Sequence, residues 1–331
     1  MRGTRGLHHV TAIAGPAQEN LDFYAGVLGM KLVKRSVNQD DPGTYHLFYA
    51  DAEGRPGTDL TFFPWSHLAL SRPGHGLAME VALAVPRASL PFWSARLERY
   101  GAAVGEPETR FGEEVLTLVD PHGLRVALVA SASAERRPFT PWEEGPVPVE
   151  RQIRGLDAAR LWLAELAPTQ ELLASPLGFR RLGEENGWVR WGASDHGAIV
   201  AGSGESGARL DLALRPDTSR GKWGTGAIHH LAWRVDDDAH ELALRSAIAA
   251  AGPQPTPVID RFWFKSVYFS EPGGVLFELA TDGPGFAVDE APGRLGETLV
   301  LPPWLEPQRD AIEAALPVLT PPAPPSSGIA K

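Results

Sequence analysis

The sequence predicts an α+β fold made of four βαβββ modules that pair into two cup-shaped half-barrels. Three observations lead there. The order strand, helix, glycine, then three strands recurs along the chain. The turn-plus-last-strand pieces DPHGLRVALV and EPGGVLFELA align residue for residue, as do the opening strands LAMEVALAV and AIHHLAWRV. Thirty prolines and thirty-five glycines demand many turns and short elements, which a long-helix bundle would not tolerate.

The first module spans residues 5–66. A strand-like run over Leu7–Ala14 precedes a helix-like stretch over Gln18–Leu28, whose apolar face is Leu21, Phe23, Tyr24, Val27 and Leu28. Gly29 ends it. Three strands follow at Lys31–Val37, Thr44–Ala50 and Asp59–Phe63, separated by turn chemistry at Asp41-Pro42-Gly43 and Glu53–Gly57. The second module, 75–131, repeats this with a strand at Leu77–Val85, a helix at Ala88–Tyr100 and Gly101. Residues 132–151, rich in proline and charge, read as a linker between two halves. The third module, 152–214, is the faintest copy, with a helix near Thr169–Leu173 and a hairpin-like PLGFRRLGEENGWVRW; GESG at 204–207 reads as a loop. The fourth, 224–282, has a helix at Ala239–Ala251, Gly252, and strands at Phe262–Phe269 and in VLFELATD. Residues 283–331 read as an arm with a short helix at Glu306–Leu316 and a disordered or surface-draped tail.

Composition narrows the chemistry. The 331 residues include no cysteine, which excludes disulfides, thiolate metal sites and a cysteine nucleophile. Any metal must be held by nitrogen and oxygen. A net charge of −10 argues against a nucleic-acid partner, which needs a basic face. No apolar run approaches the ~20 residues of a membrane span, and the N-terminus lacks a secretion signal, so a cytoplasmic protein is expected.

Four of the ten histidines form two adjacent pairs, His8-His9 and His229-His230, on the opening strands of modules one and four. Strand side chains alternate between faces, so at most one of each pair is expected to point into a shared cavity. Glu278 sits among Val275, Leu276, Phe277 and Leu279, where a carboxylate is costly unless paired or bound to a cation. The repeat aligns it with Phe63 in module one and Ala127 in module two; His230 aligns with Glu80, and His9 falls near Ala158 of module three. His9, His230 and Glu278 are therefore candidates for a 2-His-1-carboxylate set, which leaves positions open for dioxygen and substrate, the rival being a purely structural set of buried polar residues. Modules one and four must then share one cup, with modules two and three in a metal-free one. Tyr45-His46 reads as fold-forming, with a place in the pocket as the alternative for His46, and His122 reads as a solvated turn residue.

The segments GLHHVTAIAG…ENLDFYAGVLGMKLVKRSVNQDDPGTYHLFYADAEGRPGTDLTFFPW, KWGTGAIHHLAWRV and YFSEPGGVLFELATD resemble the ring-cleaving dioxygenases of the vicinal-oxygen-chelate superfamily, the hydroquinone-dioxygenase branch in particular. The resemblance covers residues 5–285. It implies Fe(II), or Mn(II), and insertion of O2 into a dihydroxylated ring such as a hydroquinone or catechol. It also implies His9, His230 and Glu278 as metal ligands, with Thr11, Tyr268, Arg261, His8 and His229 around the site. Tyr268, His229 and His8 would handle protons, and Arg261 would hold an anionic oxygen. The expected partners are a small aromatic diol, O2 and further copies of the chain in a homo-oligomer. Two competing readings remain: a metal-dependent glyoxalase-like isomerase or lyase, and a non-catalytic protein that sequesters an aromatic drug. The first needs a second acidic ligand from module one, where Phe63 stands; the second needs apolar residues in the ligand slots.

Overall fold

A computed structural model describes residues 2–193 and 207–323. Residues 204–206 of the GESG loop and the tail from 324 lie outside the described residues. The first repeat supplies β1 (Leu7–Ala14), α1 (Ala17–Leu21), β2 (Lys31–Asn38), β3 (Asp41–Ala50) and β4 (Asp59–Pro64). The second supplies β5 (Leu77–Val85), α2 (Leu90–Arg99), β6 (Ala103–Val104), β7 (Glu108–Arg110), β8 (Glu113–Val119) and β9 (Arg125–Ala130). The third supplies β10 (Leu156–Leu163), α3 (Ala167–Ala174), β11 (Phe179–Glu185), β12 (Trp188–Ala193) and β13 (Arg209–Leu214). The fourth supplies β14 (Ile228–Val235), α4 (Asp238–Ala250), β15 (Ile259–Asp260), β16 (Lys265–Ser270) and β17 (Leu276–Thr281). A last helix, α5 (Arg309–Ala315), lies in the C-terminal arm.

The strands form two large sheets. One has the order β15-β16-β17-β14-β1-β4-β3-β2 and curls into a half-barrel; the other runs β11-β12-β13-β10-β5-β9-β8-β6. Each sheet is joined at its centre by an antiparallel pair of opening strands, β1 with β14 and β10 with β5. Within each repeat the opening strand runs parallel to the last strand.

Alternation along β1 explains the layering. From His9 onward Val10, Ala12 and Ala14 join the large apolar core, while His9 and Thr11 are buried polar residues that alternate with them. Helix α4 starts where Asp237 accepts a hydrogen bond from the His240 backbone N–H at 2.8 Å, and buries Leu244 and Ile248. The helix expected over Gln18–Leu28 is broken into two: α1 gives way to a π-helical turn at Asp22–Val27. That segment buries Tyr24, whose hydroxyl donates to Asp120 at 3.0 Å and so ties the two sheets together.

Three local expectations change. The β2–β3 reversal falls at Gln39–Asp40, because Asp41-Pro42-Gly43 is drawn into β3 by pairing. The strand expected from Phe262 begins only at Lys265, since Phe262 adopts φ +73°, which no strand residue can hold. His122 is not solvated: it is 6% exposed, under Gly15, where a side chain's Cβ would come within 2.7 Å of its ring. Its Nε2 lies 3.3 Å from a Glu19 carboxylate oxygen.

The C-terminal arm is anchored by Lys34, fully buried, which donates to the Phe286 carbonyl and pairs with Asp289 and Glu290. Farther on, Val300 N–H donates to the Arg35 carbonyl, and Tyr45 donates its hydroxyl to the Pro317 carbonyl. Among the described residues no helix is long and apolar enough to cross a membrane.

Candidate metal centre

The half-barrel's central strands bring three distant residues together. His9 comes from β1, His230 from β14 and Glu278 from β17, where it faces Ala232 across a parallel ladder. Their ligand atoms lie within 4.8 Å of one another, all buried. His9 Nε2 and His230 Nε2 are 3.1 Å apart; Glu278 Oε2 is 2.9 Å from His230 Nε2 and 3.3 Å from His9 Nε2. Three ligands at ~2.1 Å, at right angles round one ion, would be about 3 Å apart, the edge of one octahedral face. Glu278 Oε2 is buried with no hydrogen bond of acceptable geometry. Its other oxygen accepts from Ser266 Oγ at 2.6 Å, which fixes the carboxylate's rotation. An orphaned anionic oxygen converging with two imidazole nitrogens fits a divalent cation.

The neighbouring histidines hold the outer edges of these rings. His8 Nδ1 meets His9 Nδ1 at 2.9 Å, and His229 Nδ1 meets His230 Nδ1 at 2.8 Å. With Nδ1 of each inner ring so engaged, Nε2 is left to face the cluster. Simple alternation does not predict this. The β1–β14 ladder carries two bulges: Leu7 and His9 pair with Trp233 and Ala232, leaving His8 extra; Thr11 and Ala12 pair with His230 and Ile228, leaving His229 extra. Each bulge rotates the first histidine toward its partner. His229 consequently lines the same cavity as His9 and His230, contrary to the parity expectation.

That cavity has a volume of about 480 Å³. Phe48, Phe63, Trp65, Trp263 and Phe264 give it aromatic walls. Tyr268 stands opposite Glu278 on β16, its ring edge-on to His230 at 5.7 Å. The Arg261 guanidinium lies 5.4 Å from the Tyr268 ring and pairs with Asp40 at 2.9 Å. Gln39 donates to the Arg261 carbonyl at 2.9 Å, so the β2–β3 turn clasps the fourth repeat at the cavity mouth. Thr11 is fully buried behind the site, 2.7 Å from the Thr61 hydroxyl.

Burial would raise the Glu278 carboxyl, but the His9 and His230 imidazoles outweigh it and hold it well below its usual range. Burial lowers His230, with Glu278 opposing. Burial and His9 keep His8 low; burial and His230 push His229 down to about 3. Burial and then Glu278 push Tyr268 up, so it keeps its phenolic proton at neutral pH.

The family model "Glyoxalase/Bleomycin resistance protein/Dioxygenase superfamily" matches residues 6–128. The Bacillus subtilis (strain 168) protein named "Putative ring-cleaving dioxygenase MhqO" is 42% identical over 95% of this chain and 96% of its own. This chain belongs to the glyoxalase/bleomycin resistance protein/dioxygenase superfamily. "Chlorohydroquinone/hydroquinone 1,2-dioxygenase" of Sphingobium indicum is 30% identical, covering 93% of this chain and 94% of its own. A Bacillus subtilis crystal structure described as a "putative dioxygenase" superposes with TM-score 0.87 at 40% identity, over 97% of this chain and 99% of that one. Glyoxalase I from Zea mays shares the superfamily fold, with TM-score 0.61 at 16% identity over 84% of this chain and 92% of that one.

Two sequence expectations need correction. His46 is not merely fold-forming: it lines the cavity, with Nε2 2.9 Å from the Thr61 hydroxyl. The first-repeat counterpart of Glu278 is Thr61, not Phe63. Thr11 pairs with Thr61 as Ala232 pairs with Glu278, and the β1–β4 and β14–β17 ladders share that register. Aligning hydrophobic runs by eye slips by two residues without changing face, so only the ladder distinguishes the two. Asp40 and Gln39 carried no sequence signal, because a turn's acid and amide look the same whether or not they reach across to Arg261.

Proposed function

We propose that this chain is an iron(II)-dependent ring-cleaving dioxygenase that inserts O2 into a dihydroxylated aromatic such as a hydroquinone or catechol, with His9, His230 and Glu278 holding the metal. The observation that carries the reading is the triangle of His9 Nε2, His230 Nε2 and the orphaned Glu278 Oε2, set in an aromatic-walled cavity. The names of the curated relatives support the same chemistry. Residues 5–66 and 224–282 then form the metal-bearing unit, and 75–131 and 152–214 the metal-free one.

Bound there, iron(II) supplies a coordination sphere that dioxygen and a substrate oxygen can share. The protein's own groups do the rest. Ser266 keeps the Glu278 carboxylate turned toward the two imidazoles. His8 and His229 fix the orientation of His9 and His230 through their Nδ1 contacts. Phe48, Phe63 and Phe264 hold the ring and exclude water. Tyr268, protonated at rest, donates its phenolic proton to an oxygen of the reacting group, with His229 as the second proton-handling group in the cavity. Arg261 offsets negative charge on the oxygen that Tyr268 serves.

Anaerobic loading with iron(II), then oxygen uptake with a panel of hydroquinones and catechols, tests the reading. Uptake matched by ring-opened product, and dependent on iron(II), is the expected result. A metal-loaded protein that consumes no oxygen with any of them would overturn it; activity with manganese(II) alone would reassign the metal.

A further inference from the structure

We propose that His46 is a substrate-contact residue that holds the second ring hydroxyl, the one not engaged at the His9–His230–Glu278 cluster. This rests on the reading above that the substrate is a dihydroxylated ring. The argument begins with Thr61. It occupies the position in the first repeat that Glu278 occupies in the fourth. A carboxylate there would reach the cluster; threonine is shorter by two atoms and is itself fully buried. The imidazole of His46, from the neighbouring strand β3, lines the cavity in front of it.

Three hydroxyl and ring groups then form a chain across three strands. Thr11 Oγ1 lies 2.7 Å from Thr61 Oγ1, which lies 2.9 Å from His46 Nε2. The ring is also gripped by Phe48, at 3.8 Å between centroids, and by Phe63 at 4.5 Å. Two aromatic neighbours and the Thr61 contact at one edge therefore fix its orientation. Among the described residues His46 makes no other side-chain hydrogen bond, and the ring is half-buried against the cavity. Nδ1 is left for a ligand. Burial, with the nearby His9 and His230, keeps the imidazole neutral.

A ring held at the cluster by one oxygen and packed among Phe48 and Phe63 carries a second hydroxyl into an apolar wall. Leaving that hydroxyl without a partner is costly, and a polar group placed there selects ligands that carry one. His46 is the polar side chain in contact with Phe48 and Phe63 on that wall, whereas Asn38, Gln39, Asp40 and Asp41 line the cavity from the β2–β3 reversal. Arg261 and Tyr268 belong to the fourth repeat, on the Glu278 side.

The test is binding, measured anaerobically by quenching of tryptophan fluorescence in the metal-loaded protein. Hydroquinone has both hydroxyls, whereas 4-methylphenol has one and a methyl in place of the other. His46→Phe keeps the ring packing and removes the nitrogens. The expected result is full metal content, hydroquinone affinity about 10-fold weaker, as loss of one hydrogen bond in a buried site implies, and 4-methylphenol affinity unchanged. Thr61→Val, which releases the Nε2 tether, should give a smaller loss in the same direction, and Thr61→Ser should restore wild-type binding. If His46→Phe weakens both ligands equally, or neither, the assignment is wrong. Should His46→Phe fail to fold, the hydroquinone-to-4-methylphenol ratio in Thr61→Val decides, and an unchanged ratio overturns the proposal. Failure of the dioxygenase reading itself looks different: wild-type protein would bind neither ligand.

Discussion

The two sheets are the same device with different contents. Both join their repeats through a central antiparallel strand pair, and both pairs carry the same two bulges. In the first sheet the extra residues are His8 and His229; in the second they are Asp157 and Met79, with breaks at Leu156/Ala158 and Arg160/Leu161. The slots of His9, His230 and Glu278 are filled in the second sheet by Ala158, Glu80 and Ala127. The slot of Thr61 is filled by Asp211. Bulges thus belong to the fold, and the chemistry to what each bulge carries. Where the first sheet gives Glu278 Oε2 only the two imidazole nitrogens that converge on it, the second pairs its acids with arginines. Glu80 pairs with Arg110, Asp211 takes two hydrogen bonds from Arg190 at 2.7 and 2.8 Å, and Asp157 pairs with Arg137 and Arg209. One region spends its buried charge on closing the structure and the other keeps it available for a cation.

Glu278→Ala should break the first sheet's function outright. Metal content should fall by at least the ~10–100-fold that loss of an outer partner alone costs, and oxygen uptake should reach background. Metal analysis of the purified variant checks it, and wild-type metal content would remove Glu278 from the ligand set.

The second sheet should respond in stability instead. Asp157→Ala leaves Arg137, 3% exposed, without its acid, which should cost about 3–5 kcal/mol while metal content stays at the wild-type level. Urea unfolding measures the loss. Burial would raise the Asp157 carboxyl, but Arg209 and Arg137 outweigh it and depress it. Its stabilisation is therefore present above the unfolded value of about 3.9 and is lost as pH falls through the lower folded value. Asp157→Asn should flatten that acid limb, and an unchanged slope would refute the assignment.

Tyr268→Phe keeps the ring against His230 and removes only the hydroxyl. It should retain its metal but lose turnover by ~10²-fold, about 2.7 kcal/mol in the barrier. A loss under about threefold would make the ring a packing residue.

Asp40→Asn should have the smallest effect. The Asp40 side chain is 74% exposed, so its pair with Arg261 should add less than about 1 kcal/mol to stability. Turnover should nonetheless drop several-fold, because Arg261 loses the partner that holds it near Tyr268. Melting temperature and kcat measured on the same preparation separate the two, and an unchanged kcat would show that Gln39 alone holds the clasp.

The repeat, the superfamily and the candidacy of His9, His230 and Glu278 as one cluster were readable in the residues. Strand alternation, helix punctuation by glycine and a carboxylate amid apolar neighbours are local signals, written within a dozen residues of one another. The tertiary structure decided the rest. Strand pairing set the bulges that turn His8 and His229 beside their partners, and ladder register put Thr61 opposite Thr11. The bulges depend on hydrogen bonds between β1 and β14, more than two hundred residues apart along the chain, and the register on hydrogen bonds between β1 and β4, with Thr11 and Thr61 fifty residues apart. His46 entered the site for the same reason: its role comes from facing Thr61 on another strand, and nothing in Tyr45-His46-Leu47 encodes that neighbour. Side-chain chemistry is a property of the residue, whereas convergence is a property of the sheets, and only pairing energies summed across the sheet fix it.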